Sequence, residues 1–281
     1  MQLIVDSGST KTEWLVVENF DVVKQIFTKG INPFYQTGSE IMSEIECFLL
    51  PELGDLLIAS ICFYGAGCSF PEKKAIVCNA LGFYFKHIPI EVQSDLLAAA
   101  RSLCGTEKGI ACILGTGSNS CYYDGAEIVD NVSPLGFILG DEGSGAVLSK
   151  TFMSDCLKNQ IPAELRKAFM DKYELTPAVV LENVYKKPFP NRYLATFTPF
   201  LSENISEPAI RDVVYNGFVA FFKRNVMQYE FQTMKTSFVG SVAFHFEELL
   251  LKAAADCGVT VGTVVKSPMQ GLIKYHASQQ K

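Results

Sequence analysis

Apolar residues come in short bursts separated by turn residues, and the period of those bursts changes along the chain. Gln2–Val5, Glu13–Glu18 and Val22–Thr28 read as strands. The stretches between them, Asp6–Thr12 and Asn19–Asp21, are too short for crossover helices, so an antiparallel meander is expected. Helical spacing follows over Ser39–Leu50, where Ile41, Ile45, Phe48 and Leu49 share a face. Leu56–Phe63 then predicts a buried strand, Pro71–Leu81 a helix, Ile88–Val92 a strand and Ser94–Leu103 a helix.

The same order begins again near residue 109. Ile110–Leu114, Ser118–Tyr123 and Ala126–Val129 read as three strands, with Asp124-Gly125 as the clearest turn signal. Helices are predicted over Gly145–Leu157 and Ala163–Tyr173, then shorter ones to about residue 202, and a long one over Glu207–Met227. Thr236–Gly240 reads as a strand, Val242–Asp256 as a helix, Val259–Val261 as a strand and Pro268–Ala277 as the last helix, with proline at its first position. Strands followed by alternating strand and helix, twice over, predict an α/β protein of two similar halves.

Composition narrows the class. The chain has 281 residues, 48% hydrophobic and 19% charged, which is too apolar for disorder and long enough for two domains. Its richest apolar run, Leu56–Tyr64, is strand-sized and far from the ~18 residues of a membrane span. No basic region precedes the first apolar residues, so no secretory signal is expected. A net charge of −6 argues against nucleic-acid binding through a basic face. The nine cysteines stand singly with no C-x-x-C pair, beside three isolated histidines, His87, His245 and His276. Reduced core cysteines of a cytoplasmic protein explain this better than a disulfide scaffold or a zinc site.

Five segments carry candidate chemistry. Asp6-Ser7-Gly8-Ser9-Thr10-Lys11-Thr12 links two strands; its small residues let N–H groups approach phosphate oxygens, and its hydroxyls and Lys11 add donors. Asp6, at the strand end, could hold a hydrated Mg²⁺ beside those phosphates. An ordinary hairpin turn explains the loop equally well. Gly115-Thr116-Gly117-Ser118-Asn119 repeats the arrangement at the corresponding point of the second half, and together the two loops suggest a phosphate clamp. Gly136–Gly145 places Asp141 and Glu142 among glycines before a helix. The acids there could simply cap that helix, whereas the glycines suggest close backbone approach to something bound. Gln93-Ser94-Asp95 ends a strand and starts a helix. Capping again competes with catalysis, and a helix N-terminus is expected to keep Asp95 ionised near neutral pH. Gly240-Ser241 is a strand-to-helix turn, either ordinary or shaped for an adenosine.

In this order the segments resemble the ASKHA superfamily of sugar kinases, heat-shock ATPases and actin. Gly115–Asn119 with Leu139-Gly140-Asp141-Glu142-Gly143-Ser144-Gly145 is similar to its N-acetylglucosamine kinase group, also known as BadF-type ATPases. The resemblance implies two ribonuclease-H-like (actin-like ATPase) domains, each with a mixed sheet, and a cleft between them. The expected boundaries are residues 1–108 with 267–281, and 109–266. It implies ATP and Mg²⁺ as cofactors and a sugar phosphorylated at its 6-hydroxyl, N-acetylglucosamine or a relative. By position, Asp95 matches the catalytic base, and Asp6 holds Mg²⁺ through water. Gly8, Ser9, Thr10, Lys11, Thr116 and Gly117 match phosphate-loop positions, and Gly240 and Ser241 border adenosine. Asn32, Asp95, Thr116, Ser118, Asn119 and Asp141 match sugar-contacting positions. Ser133-Pro134-Leu135-Gly136 departs from the Gly-Gly-Trp-Gly stretch frequent in the group. The expected partners are a small sugar and ATP, with no nucleic acid and no membrane, and a homodimer is possible. The competing reading is an ATPase that activates a partner enzyme, as the 2-hydroxyacyl-CoA dehydratase activators do, with an iron–sulfur cluster; Cys68, Cys104, Cys112 and Cys121 are too scattered to nominate for one. A catalytically silent sugar sensor is the third, and intact Asp6 and Asp95 argue against it.

Overall fold

A computed structural model describes residues 1–8 and 10–279. The chain divides into two units: Met1–Glu107 with Asp124–Ile128 and Ser267–Lys281, and Lys108–Tyr123 with Val129–Lys266.

In the first unit, strands β1 (Gln2–Ser7), β2 (Lys11–Glu18) and β3 (Asp21–Lys29) form the meander. The chain continues through α1 (Gly38–Glu44), a π-turn (Ile45–Leu49) and α2 (Leu50–Leu53) to β4 (Ser60–Gly65), α3 (Pro71–Tyr84), β5 (Ile90–Ser94) and α4 (Asp95–Cys104). The sheet order is β3-β2-β1-β4-β5, with β1, β4 and β5 parallel. Alternate residues of β1 face opposite sides of the sheet, and both sides are covered, which is why Leu3, Ile4 and Val5 are all buried. Leu3, Val5, Trp14 and Phe63 pack with Ile41, Ile45, Val77 and Leu81 on one side. Ile4, Leu15, Cys62 and Tyr64 pack on the other with Ala98 and with Leu272 and Ile273, which belong to the last helix.

One helix was expected over Ser39–Leu50. It starts with a capping box, Thr37 and Glu40 bonding each other's backbone N–H. It widens at Ile45–Leu49 because Pro51 has no N–H to offer the preceding turn, and the Leu50 N–H reaches back to Ile45 O.

The second unit repeats the layout. Strands β6 (Gly109–Leu114), β7 (Ser118–Tyr123), β8 (Ile128–Asp130), β9 (Thr236–Val239) and β10 (Val261–Val265) order as β10-β9-β6-β7-β8. Strand β6 is antiparallel to β7 and parallel to β9, and β9 is parallel to β10. Between β8 and β9 lie α5 (Gly136–Leu139), α6 (Gly145–Leu157), α7 (Ala163–Lys172), α8 (Pro177–Tyr185), α9 (Pro190–Ala195), α10 (Thr198–Glu203) and α11 (Pro208–Arg224). Their core is aromatic: Phe169 meets Phe152, Phe197 and Phe200 with ring centroids 5.1, 5.5 and 5.0 Å away. Such offset and edge contacts add roughly 0.5–1.5 kcal/mol per pair beyond area burial.

The single helix expected over Val242–Asp256 is two, α12 (Ser241–His245) and α13 (Glu247–Asp256). Phe246 leaves helical geometry, with φ −113° and ψ 26°, and is buried in the core. Helix α14 (Met269–Gln279) returns to the first unit. There His276 Nε2 bonds Tyr64 Oη at 2.9 Å, and Arg101 donates to Tyr64 Oη and Glu91 at 2.7 and 2.8 Å. Burial holds His276 down at about 4, so the ring is neutral at pH 7. Among the described residues no helix is long and apolar enough to cross a membrane, and none of the nine cysteines is in a disulfide.

Candidate active site

Parallel strands align their carboxyl ends, and open α/β sheets bind ligands there. In the first unit Ser7 is in register with Gly65, and Gly65 with Ser94, so Asp6 and Asp95 arrive at the same edge. Each acid feels burial. It pushes Asp6 up to about 7, the negative charges of Asp95 and Glu13 add to the shift, and Lys11 opposes it. Asp95 opens α4 and accepts the Leu96 N–H at 2.9 Å, while Ser94 caps the helix through the Leu97 N–H.

The expectation that the helix start depresses Asp95 is corrected. Burial outweighs the backbone donors and raises its pKa. Two acids that repel each other at a strand edge fit a hydrated Mg²⁺, which needs only one or two carboxylates. No cage of three or more such side chains exists among the described residues.

The Ser7 and Thr12 hydroxyls, candidate donors from sequence, are turned inward. They bond each other at 2.7 Å, and Ser7 both donates to Ile31 O and accepts from its N–H, at 3.0 and 2.9 Å. That clasp fixes the neighbouring Asn32, whose Oδ1 accepts the Phe34 N–H at 3.0 Å. Gly8 makes a tight turn to Lys11 O, at 3.0 Å. Thr10 is exposed beside it, and Ser9 lies outside the described residues. The Lys11 ammonium sits 4.4 Å from the centroid of the Phe27 ring.

In the second unit Ile113 is in register with Val239, and Val239 with Val265, so Gly115, Gly240 and Lys266 follow aligned strand ends. A cavity of about 450 Å³ opens there, lined by Gly115, Thr116, Ser241, Val242, His245, Lys266 and, from α9 and α10, Ala195, Thr198, Pro199, Ser202 and Glu203. Two motifs far apart in sequence thus share one cavity. The carbonyls of Gly115 and Thr116 accept the N–H groups of Gly145 and Ala146, at 2.8 and 3.1 Å, tying the loop to the first turn of α6.

Asp141 and Glu142 are not caps; Ser144 caps α6. Asp141 is buried with φ 54°, and its Oδ1 accepts the Ser118 N–H at 3.2 Å beside Gly117. Burial pushes its carboxyl up to about 6; the Ser118 N–H opposes this, the Glu142 charge adds to it and Lys150 opposes it. Glu142 pairs with Arg224. Asn119 accepts through its side-chain oxygen from Ser120 N–H and Asn131, at 2.9 and 3.0 Å.

Gly140 and Gly145 of this motif approach the chain itself. A Cβ on Gly140 would overlap Pro134 O, and one on Gly145 would lie 2.7 Å from Thr198 Oγ1. Gly240 is likewise required by the fold, with φ 128° and Leu114 O where a Cβ would stand. Gly240→Ala is therefore expected to destabilise the protein by roughly 2–4 kcal/mol, as strain plus overpacking do. Denaturant unfolding measures it, and an unchanged midpoint would contradict the packing.

No family model and no curated protein matches the chain. Solved structures do. A provisional N-acetylglucosamine kinase of Porphyromonas gingivalis is 48% identical over 100% of both chains, with a TM-score of 0.97. A second, from Chromobacterium violaceum, is 14% identical over 98% of both chains with a TM-score of 0.74. A provisional sugar kinase of Cytophaga hutchinsonii is 14% identical over 100% of both, at 0.53. The last two share the fold; the first is a full-length relative.

Proposed function

From a chain that belongs to the N-acetylglucosamine kinase (BadF-type ATPase) group of the ASKHA superfamily, we propose an ATP- and Mg²⁺-dependent sugar kinase acting on the 6-hydroxyl of an amino sugar, N-acetylglucosamine or a close relative. The observation that carries this reading is the shared cavity of Gly115-Thr116 and Ser241 in the second unit. A nucleotide would lie there with its adenosine beside Gly240 and Ser241 and its phosphates toward Thr116 and Gly117. In the first unit, Gly8 and Thr10, with Ser9, form the second phosphate loop. Lys11 lies near enough to Asp6 to lower its pKa, and reaches phosphate by leaving Phe27.

When bound, Mg²⁺ supplies positive charge that neutralises phosphate oxygens. Asp6 is the residue to hold it, through water. Asp95 orients the sugar hydroxyl and takes its proton as the new O–P bond forms and the bond to ADP breaks. A base whose pKa is raised toward neutrality is better matched to that proton than an ordinary aspartate. Asn32, Ser118 and Asn119 offer amide and hydroxyl groups to the sugar, and Asp141 accepts from its hydroxyls.

An ADP-release screen over hexoses, hexosamines and their N-acetyl forms tests the reading. Turnover should be highest with an N-acetylated hexosamine and absent with its 6-deoxy analogue. ADP release that no sugar stimulates would sink it.

Asp141→Ala should weaken sugar binding about 10–150-fold, the loss of a charge-assisted hydrogen bond, and leave nucleotide binding nearly unchanged. In the parent protein, sugar affinity should also fall as pH drops through about 6, where Asp141 gains a proton. Calorimetric titration of each ligand separates the two effects; lost nucleotide affinity with intact sugar affinity would reverse the assignment.

A further inference from the structure

Asp141 stands in the left-handed region with φ 54°, a conformation that its surroundings must impose. Upstream, its N–H donates to Pro134 O at 2.9 Å, and the Gly140 N–H donates to Gly136 O at 2.8 Å. Downstream, Gly143 lies against α11, where a Cβ would stand 3.2 Å from the Phe218 ring and 3.3 Å from Phe221 Cβ. Glu142 comes between the two, and its side chain is turned to the end of the same helix. Oε1 pairs with Arg224 Nε in the last turn of α11, and Oε2 accepts from Asn225 Nδ2 at 3.4 Å. That helix is firm ground for an anchor, because Phe218, Phe221 and Phe222 are all buried in the core.

The fold alone gives little reason for a second acid here. Ser144 already caps α6, and a carboxylate beside the buried Asp141 adds like charge to it. Surface ion pairs contribute little stability, but this one is lopsided: the Glu142 side chain is 16% exposed and that of Arg224 61%. A mostly covered carboxylate held by two partners, next to a strained aspartate, is suited to fixing that aspartate's direction.

We propose that Glu142 is a positioning residue of the sugar site: clamped to Arg224 and Asn225, it holds Asp141 in the geometry from which the Asp141 carboxylate accepts the Ser118 N–H and the sugar hydroxyls. This rests on the reading that Asp141 contacts the sugar. The oxygens of Glu142 are engaged at the end of α11, so it acts through Asp141.

The charge of Glu142 leaves a second mark. Charges reach Asp141 from Glu142 beside it and from Lys150 of α6, whose ammonium is tied to Phe137 O at 2.5 Å, while β7 contributes the Ser118 N–H. Arg224 of α11 offsets Glu142. Removing the Glu142 charge therefore lowers the pH at which Asp141 takes up its proton, and removing Arg224 uncovers that charge and raises it.

Calorimetric titration with N-acetylglucosamine from pH 5 to pH 8 reads both effects. At pH 8 Glu142→Ala should weaken sugar binding about tenfold, as partners in one network do, with ATP affinity unchanged. In the Asp141→Ala background the same change should cost nothing further. Glu142→Gln, which keeps an oxygen for Arg224, should bind sugar at pH 8 nearly as the parent does, but lose affinity at a lower pH than the parent's value of about 6. Arg224→Ala should move that midpoint upward. The Asp141 carboxyl signal in carbon-13 NMR of the sugar-free chain, identified by its loss in Asp141→Asn, should move with the same signs. Melting curves establish that each variant is folded. If Asp141→Ala weakens sugar binding and Glu142→Ala does not, or if the two losses simply add, Glu142 is no positioning residue and the sugar reading stands. A carboxyl signal that titrates alike in the parent, Glu142→Gln and Arg224→Ala also overturns the proposal. Unchanged sugar affinity in Asp141→Ala takes down the reading of Asp141, and the proposal with it.

Discussion

Asp95→Asn is expected to leave a folded protein whose turnover falls about 10²–10⁴-fold, the contribution of a positioned proton acceptor. The substitution keeps the oxygen that accepts the Leu96 N–H, so the start of α4 survives. It also removes a carboxylate whose pKa burial has raised. A raised carboxylate favours folding below its unfolded pKa, and that contribution is lost as pH climbs through its folded pKa. The variant should therefore be at least as stable as the parent at neutral pH, and lost activity cannot be put down to unfolding. ATP affinity should change little. The rising limb of the pH–rate profile should flatten, because the group that must lose its proton is gone. If Asp95 serves only to start the helix, a folded variant will turn over at the parent's rate, and Asp95 leaves the mechanism.

Asp6→Asn should separate stability from activity more sharply. Asp6 titrates near 7 in the folded chain against an ordinary 3.8. Between those values the folded form keeps a proton that the unfolded form has lost. Stability is therefore greatest at acid pH and falls as pH rises to about 7, after which the whole cost is present. Asparagine removes that cost. At pH 8 the variant should be more stable than the metal-free parent by on the order of 1–3 kcal/mol, discounted for solvent access, and the gap should close toward pH 4. Turnover should nevertheless fall by about 10²–10³-fold, since the anchor for charge neutralisation at the phosphates is lost. Mg²⁺ should stabilise the parent at pH 8 and leave the variant's unfolding curve where it was. Equal stabilisation of both by Mg²⁺ would remove Asp6 as the anchor.

Most of the scaffold was legible in the sequence because its signals are local. Ser118–Tyr123 and Gly145–Leu157 form the strand and the helix expected over those residues, and the meander followed from the shortness of Asp6–Thr12. The break at Phe246 was not legible, because a ring swinging into the core leaves no mark on helical spacing. The glycines of Gly136–Gly145 were visible but ambiguous. Only the packing tells close approach to Pro134 and Thr198 from close approach to a ligand.

The candidate site shows the same limit. Asp6, Asp95, Gly115, Thr116 and Ser241 were nominated by their places at strand ends, and the structure puts them there. Lys266 obeys the same rule, directly after β10, and was missed because that strand was expected over Val259–Val261. Thr198, Ser202 and Glu203 come from helices inserted between repeated elements, and no local pattern marks them as cavity walls. The sign of the Asp95 shift was also out of reach, since helix-end polarity is written in sequence and burial is not.

The return of α14 to the first unit has a consequence for the order in which the chain can be completed on a ribosome. Ile4, Leu15, Cys62 and Tyr64 emerge early, yet their cover, Leu272 and Ile273, follows the entire second unit. One face of the nascent first sheet must therefore wait, apolar and open, with Tyr64 and Arg101 lacking His276 and Tyr275, while the second unit is synthesised. Segments in that state are the natural clients of chaperones during translation. Shortening the chain before α14 should strand the protein there, with its second unit able to build a core and its first able to cover only one face of its sheet.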